Sequence, residues 1–202
     1  AVARLYVTIK TLKDKVAVIT GGAGLNGLSD RFHPFVREVI LGGRLKAKPR
    51  PVHFNTWEAV YFRHDLTELK ALADLAAEVG AERFILDDGW FKGRNDDTTS
   101  LGDWIPDAAK YPDGLTSLID HVRGLGLEFG LWVEPEMANL DSDLVRAHPD
   151  WLLHVDDRAQ PVGRGQYVLD LTRPEVADHL FARLDALLAQ HEIGYLKWDM
   201  NR

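Results

Sequence analysis

The sequence predicts an α/β protein, specifically a partial (β/α)8 TIM barrel with about the first four β/α units. From residue 51 onward, short apolar runs alternate with segments whose apolar residues recur every three or four positions, the period of one helix face. Each predicted strand also ends in acidic, amide or tryptophan residues, and a barrel gathers its strand ends around one mouth. An open doubly wound sheet fits the alternation equally well, so the strand ends favour the barrel.

Four barrel strands are predicted, at residues 52–57, 83–88, 128–134 and 195–199. A helical segment separates each strand from the next, and such connections join parallel strands through right-handed crossovers. We therefore expect these four strands to be parallel neighbours. Their carboxyl ends would then open on one side of the sheet, with the side chains of Trp57, Asp88, Trp132 and Asp199.

Three longer helices are predicted in the crossovers. Their apolar faces are Leu66, Leu69, Ala73, Ala76 and Val79 in the first, Leu115, Leu118, Ile119, Val122 and Leu125 in the second, and Val176, Leu180, Leu184, Leu187 and Leu188 in the third. Asp65 and Glu68 form a predicted capping box before the first helix, which Gly80 would end. Thr172 and Glu175 form the same predicted box before the third helix.

Composition and charge exclude several classes of protein. The chain has 24 basic and 31 acidic residues, and its net charge of −7 argues against nucleic acid or an anionic membrane as a partner. It contains no cysteine, so disulfides and thiolate metal sites are excluded. No apolar run approaches the roughly 20 residues of a membrane span, and lysines interrupt the amino terminus where a signal sequence would be apolar. We expect a soluble, cytoplasmic protein.

Carboxylates and tryptophans lie side by side at the predicted strand ends. The carboxylates are Asp87, Asp88, Glu134, Glu136 and Asp199, and the tryptophans are Trp57, Trp90, Trp132 and Trp198. Carboxylates accept hydrogen bonds from sugar hydroxyls, and one of them can attack an anomeric carbon. An indole can stack on the apolar face of a pyranose and keeps an N–H for a polar contact. The pattern therefore favours a sugar-binding site without metal or cofactor.

Other interpretations of the same residues remain open at this point. Asp87 and Asp88 precede a glycine and are compatible with an ordinary turn. Glu134 and Glu136 flank a proline and are compatible with a solvated loop. Arg94 to Asp97 are compatible with a charged loop, or with a loop that folds over the site. Lys197 is either a surface lysine or a buried partner that keeps Asp199 ionised. A Mg²⁺ site on successive strands is a less favoured alternative, because tryptophans are poor neighbours for a hydrated cation.

Several motifs, in order, resemble the α-galactosidases of glycoside hydrolase family 36 from about residue 24 to residue 202. They are "GLNGLSDRFHPFVRE", "NTWEA", "LDDGWF", "LGDW", "GLWVEPEM", "YVLDLTRPEV" and "KWDMNR". The resemblance implies a retaining hydrolase for α-galactosides of the melibiose or raffinose type, and is compatible with a homo-oligomer. It identifies Asp199 as the nucleophile and Asp87 and Asp88 as the acids that hold galactose hydroxyls.

The same resemblance assigns pocket residues and sets expectations for the chain as a whole. The pocket residues are Trp57, Trp132, Arg164, Lys197 and Asn201. The family often has Arg-Asn-Gln at the position where this chain has Arg164, Gly165 and Gln166. The family's general acid/base and its preceding β-rich domain have no match here, so we expect residues 51–202 to be half of a barrel, inactive alone and prone to associate through exposed sheet edges.

The amino terminus, residues 1–24, resembles a different family and is expected to be a foreign segment before a helical lead-in at 25–50. A predicted strand, "VAVIT", ends at Thr20 and is followed by Gly21, Gly24 and Gly27, with the spacing of a short-chain dehydrogenase phosphate loop. No second strand ending in an acid follows about 20 residues later, as ribose binding requires. Two alternatives to an α-galactosidase remain. One is an NAD(P)-dependent oxidoreductase, which only the glycine motif supports, and the other is a non-catalytic sugar-binding fragment.

We predict that the glycine-containing amino terminus binds no dinucleotide. It has the residues for a phosphate-binding turn but lacks the acid that would hold the adenosine ribose. Calorimetric titration of the protein with NAD and with NADP should show no saturable heat. Binding in the micromolar range would overturn this prediction.

Overall fold

The computed structural model describes residues 24–41, 48–160 and 162–201, which fall into two units divided between Arg50 and Pro51. In the first unit, helix α1 (Gly24–Phe35) continues into a π-helical turn (Val36–Ile40), and neither contains a buried residue. Of the glycine motif, Gly24 and Gly27 lie in α1. Thr20 and Gly21 lie outside the described residues, as does most of the predicted foreign segment.

The second unit is built on a parallel sheet. Its strands are β1 (His53–Asn55), β2 (Arg83–Leu86), β3 (Glu128–Val133), β4 (Met137–Ala138), β5 (Tyr167–Val168) and β6 (Tyr195–Trp198). Strands β1, β2, β3 and β6 form one sheet in that order, and every neighbouring pair is parallel. The prediction of four parallel neighbours is confirmed. Strands β4 and β5 form a separate antiparallel pair after β3.

Helices connect the parallel strands. They are α2 (Trp57–Val60), α3 (Leu66–Glu78), α4 (Thr116–Gly124), α5 (Asp143–Ala147) and α6 (Pro174–Gln190). Helix α3 lies between β1 and β2, α4 between β2 and β3, and α6 before β6. The structure therefore establishes an α/β fold with a parallel sheet of four strands in the described residues.

The two predicted capping boxes have different outcomes. The Asp65 carboxylate accepts the Glu68 backbone N–H at 2.9 Å, so α3 begins as predicted. The box at Thr172 is wrong, because α6 begins at Pro174 with Arg173 as its N-cap and no side-chain cap. The Thr172 hydroxyl donates to the Asp170 carboxylate instead, at 2.6 Å.

The predicted helix faces supply much of the core, except at their carboxyl ends. The buried members are Leu69, Ala73 and Ala76 of α3, Leu118, Ile119 and Val122 of α4 together with its N-cap Leu115, and Val176, Leu180, Leu184 and Leu187 of α6. Val79 is 80% exposed and Leu125 is 38% exposed, contrary to the periodicity. Each follows the last residue of its helix, so its side chain leaves the face that the helical period would give it.

We predict that Leu69→Ala destabilises the protein by about 2–5 kcal/mol, because Leu69 is fully buried and its truncation leaves a cavity. Leu75→Ala, in the same helix, is the matched control. Leu75 is 57% exposed, so this change should alter stability by less than about 0.5 kcal/mol. Urea unfolding of both variants measures the difference, and equal losses would contradict the packing described.

Candidate active site

The candidate site lies at the carboxyl edge of the parallel sheet, where hydrogen bonds tie the ends of neighbouring strands together. The Thr56 hydroxyl, after β1, accepts the Asp87 backbone N–H at 3.0 Å. The Asp199 backbone N–H, after β6, donates to the Val133 carbonyl oxygen at 2.8 Å. Side chains far apart in sequence are thereby held at one edge.

Asp87 is buried and is held from three directions. Its Oδ2 accepts a hydrogen bond from Asn55 Nδ2 at 2.6 Å and pairs with Lys197 Nζ at 2.7 Å. Its Oδ1 accepts the Asp88 backbone N–H at 2.9 Å. The interpretation of Lys197 as the ion-pair partner of Asp199 is wrong. The lysine pairs with Asp87, although its charge also helps to lower the pKa of Asp199.

Asp88 is buried in a bidentate ion pair with Arg94. Arg94 Nε donates to Oδ1 at 2.9 Å and Nη2 to Oδ2 at 2.7 Å. Burial raises the pKa of Asp88, while the hydrogen bonds and charge of Arg94 oppose that rise. Arg94 is only 1% exposed, so its interpretation as part of a charged surface loop is wrong. The guanidinium also donates to Asn139 Oδ1 at 2.9 Å.

A half-buried lysine supports the backbone beneath these acids. Lys110 Nζ donates to the carbonyl oxygens of Gly89 at 2.8 Å, Arg94 at 2.7 Å and Phe62 at 3.2 Å. Burial lowers the pKa of Lys110. Because all three acceptors are backbone atoms, Lys110 fixes the loops that present Asp88 and its partner.

Asp199 is held by neutral N–H donors. Its Oδ2 accepts hydrogen bonds from Trp132 Nε1 at 3.0 Å and Asn201 Nδ2 at 3.1 Å, and its Oδ1 accepts the Met200 backbone N–H at 2.9 Å. Partial burial favours a higher pKa, but these hydrogen bonds and the nearby Lys197 outweigh it and lower the pKa. Asp199 is therefore ionised at neutral pH.

Glu134 is a second carboxylate beside Asp199, and its side chain is fully buried. Its Oε1 accepts the backbone N–H of Asn201 at 2.6 Å and Asn201 Nδ2 at 3.1 Å, and its Oε2 accepts Gln166 Nε2 at 3.1 Å. Burial raises the pKa of Glu134, and the bonds from Asn201 oppose that rise. The solvated-loop interpretation is wrong for this residue.

The four tryptophans have different environments. Trp90 is completely buried and donates its Nε1–H to the Trp132 carbonyl oxygen at 2.9 Å, so the interpretation of its ring as a sugar platform is wrong. Trp132 is also buried, with its Nε1–H on Asp199. Trp57 is half-buried in α2 and packs edge-on against Tyr61. Trp198 is 43% exposed and donates to the Glu136 carboxylate at 2.8 Å.

Arg164 lies in an exposed loop with a left-handed backbone conformation, φ +54°. Within the described part of the chain, the Arg164 side chain forms no hydrogen bond or ion pair. The carbonyl oxygen of the next residue, Gly165, accepts a hydrogen bond from Asn139 Nδ2 at 2.9 Å. Since Asn139 also contacts Arg94, the Arg164 loop is connected to the Asp88 ion pair.

Sequence analysis did not identify three of these contacts, those made by Asn55, Arg94 and Asn139. A signal for Arg94 was present, because Asp87 and Asp88 are adjacent acids at a predicted strand end, and acids that become buried there require cations. Within the described ranges, no group of three or more His, Asp or Glu side chains is placed to hold a metal ion. The described helices are also all too short or too polar to cross a membrane.

A parallel sheet with ionised and hydrogen-bonded acids at its carboxyl edge is characteristic of α/β proteins that bind a ligand at that edge. The sequence comparison is more specific. The chain belongs to the melibiase family, whose sequence profile matches residues 12–202.

Individual relatives agree with this assignment. An alpha-galactosidase of Escherichia coli is 55% identical over 179 residues, which are 89% of this chain and 25% of the relative. Alpha-galactosidase AgaA of Geobacillus stearothermophilus is 46% identical over 188 residues, 93% of this chain and 26% of AgaA. This chain thus spans about a quarter of the length of either relative.

Solved structures of the same family superpose on the fold. A glycoside hydrolase family 36 alpha-galactosidase AgaA variant in complex with raffinose gives a TM-score of 0.83 at 47% identity, over 89% of this chain and 25% of that chain. An AgaA variant bound to 1-deoxygalactonojirimycin gives 0.82 with the same identity and coverage.

We predict that Arg94→Met destabilises the protein by about 3–5 kcal/mol at pH 7, because it leaves the buried Asp88 carboxylate without its cation. Removing Arg94 raises the folded-state pKa of Asp88 further above its ordinary value of 3.8. The unfolded state then ionises first as pH rises, so the loss is largest at neutral pH and shrinks as the pH falls toward 4.

The matched control is Lys92→Met, which removes an exposed cation paired with Asp143. This substitution should leave the free energy of unfolding nearly unchanged. Denaturant unfolding of both variants between pH 4 and 7 measures the two effects. A pH-independent loss for Arg94→Met would show that the ion pair does not cause it.

Proposed function

We propose that this chain supplies the nucleophile and the galactose-binding residues of a retaining α-galactosidase. The observation that supports this best is the state of Asp199, an ionised carboxylate at a strand end that is held by Trp132 and Asn201 and forms no ion pair with any cation of the described residues. An unpaired carboxylate is a better nucleophile than one neutralised by an ion pair. Raffinose and 1-deoxygalactonojirimycin in the related structures support an α-galactoside as substrate.

We also propose that residues 51–202 form the amino-terminal half of a (β/α)8 barrel. Four parallel strands follow one another in sequence order, with a helix in each crossover. The acids lie at the carboxyl ends of these strands, where active sites of such barrels are found. The general acid/base would come from elsewhere in a complete enzyme, consistent with the quarter of the relatives' length that this chain spans.

In the proposed first step, Oδ1 of Asp199 attacks the anomeric carbon of the galactoside. Oδ2 already accepts two hydrogen bonds, whereas Oδ1 accepts only one among the described residues, so Oδ1 keeps a lone pair for the attack. The bond from C1 to the leaving oxygen breaks, and the general acid protonates that oxygen. In the second step, water deprotonated by the same residue attacks C1, and Asp199 leaves as a carboxylate.

Galactose recognition is proposed for the acids beside the nucleophile. Asp87 and Asp88 are each held by a cation, and their remaining lone pairs can accept hydroxyl protons of the sugar. Lys197 is half-buried and has ammonium protons beyond the one it gives to Asp87. Trp57 is half-buried and Arg164 is exposed, and we assign their indole face and guanidinium to sugar contacts.

The test is a chimera in which residues 24–202 of this chain replace the matching quarter of the Escherichia coli alpha-galactosidase. We expect it to hydrolyse nitrophenyl α-galactoside. Asp199→Ala should lower kcat by several orders of magnitude because no carboxylate remains to form the glycosyl-enzyme. Azide should partly restore turnover and give β-galactosyl azide, since one displacement at C1 inverts its configuration.

Asp178→Ala, on the exposed surface of α6, is the matched control and should retain the activity of the chimera. Two results would defeat the proposed function. One is a correctly folded chimera without α-galactosidase activity, and the other is an Asp199→Ala chimera that remains active without azide.

A further inference from the structure

Glu134 shares a hydrogen-bond donor, Asn201 Nδ2, with the proposed nucleophile. It follows Val133, the last residue of β3, whose carbonyl oxygen accepts the backbone N–H of Asp199. Its side chain is 0% exposed. A buried carboxylate is costly unless polar partners replace its water, so each contact that Glu134 makes contributes to keeping it there.

The partners of Glu134 fix one residue in particular. One carboxylate oxygen, Oε1, accepts both the backbone N–H and the side-chain Nδ2 of Asn201, at 2.6 and 3.1 Å. Asn201 is therefore held at its backbone and at its side chain by the same oxygen.

Asn201 also binds Asp199, so its fixed position affects the nucleophile. Its Nδ2 also lies 3.1 Å from Asp199 Oδ2, so the amide nitrogen is placed between two carboxylates. An amide nitrogen carries two hydrogens, whereas the amide oxygen only accepts. If the amide rotated by half a turn, its oxygen would face both carboxylates. Glu134 and Asp199 together allow only one orientation of the amide.

The orientation matters for the attacking carboxylate. With Asn201 and Trp132 both donating to Oδ2, the plane of the Asp199 carboxyl group is fixed and Oδ1 is the oxygen with an open lone pair. Losing the bond from Asn201 would leave Oδ2 with a single side-chain donor. The carboxyl group could then rotate about its Cβ–Cγ bond and present the wrong oxygen.

We propose that Glu134 is a positioning residue for the nucleophile, acting through Asn201. Its carboxylate orients the Asn201 amide, and that amide holds Asp199 Oδ2 so that Oδ1 faces the anomeric carbon. This inference rests on the proposed function. It assigns Glu134 no contact with the sugar and no proton transfer.

The test uses three substitutions at Glu134 in the active chimera. Glu134→Leu removes both acceptors, and Glu134→Asp keeps the charge but withdraws the carboxylate from Asn201 by one methylene. Each should lower kcat about 100-fold, the scale of losing one donor that acts on a reacting group, while KM changes less than about threefold. Glu134→Gln keeps one oxygen within reach of Asn201 and should retain most of kcat.

A double-mutant cycle separates positioning from general support of the fold. Asn201→Ala should lower kcat as Glu134→Asp does, and the double variant should be no slower than Asn201→Ala alone. Glu175→Asp, at an exposed position of α6, is the control and should match the parent chimera. A thermal melt of each variant accompanies its assay. If Glu134→Leu does not fold, the comparison of Glu134→Asp with Glu134→Gln tests the positioning role.

Three outcomes would overturn the inference. They are unchanged kcat in Glu134→Asp, a Glu134→Gln variant as slow as Glu134→Asp, and additive losses in the cycle. Each presupposes that the parent chimera is active and that Asp199→Ala is not, so these outcomes reject the role of Glu134 without rejecting the proposed function. An inactive parent would instead reject the proposed function itself.

Discussion

The buried carboxylates at the carboxyl edge of the sheet impose the condition that the rest of the site satisfies. An ionised acid taken out of water costs several kcal/mol unless a cation or several N–H donors replace the solvent. Asp87 and Asp88 are adjacent in the chain, and each has its own cation. Lys197 approaches from the fourth parallel strand, 110 residues away in sequence, and Arg94 from the loop after β2.

A buried carboxylate is stabilised here either by a cation or by neutral N–H donors, and these two kinds of partner correspond to two chemical roles. Cations neutralise Asp87 and Asp88, which suits residues that hold a ligand in place. Asp199 is stabilised by Trp132, Asn201 and a backbone N–H, and within the part of the chain that the structure describes it forms no ion pair. The same physical requirement is met differently at neighbouring positions, and the difference favours Asp199 as the proposed nucleophile.

Support for the site extends well below the groups that would meet a sugar. Lys110 binds three backbone carbonyls under the loops that carry Asp88 and Arg94. His64 is buried beside Tyr111, with 2.7 Å between Nδ1 and the hydroxyl oxygen, and burial lowers its pKa to about 3. A neutral histidine adds no charge to a region that already contains Lys110 and Arg94. The loops that carry Asp88 and Arg94 are therefore held by Lys110, and the buried histidine near them is neutral.

The sequence by itself determined the order of the four parallel strands and the three longer helices, most of the buried helix faces and the edge of the sheet that carries the acids. These follow from local periodicity, capping residues and strand polarity, which a short window contains. Only the tertiary structure decided which cation serves which acid, why Arg94 is buried, and how Glu134 reaches Asp199 through Asn201. Those pairings depend on the distances between strands and on the competition of several donors for a few oxygens, and neither is encoded in the spacing of residues along the chain.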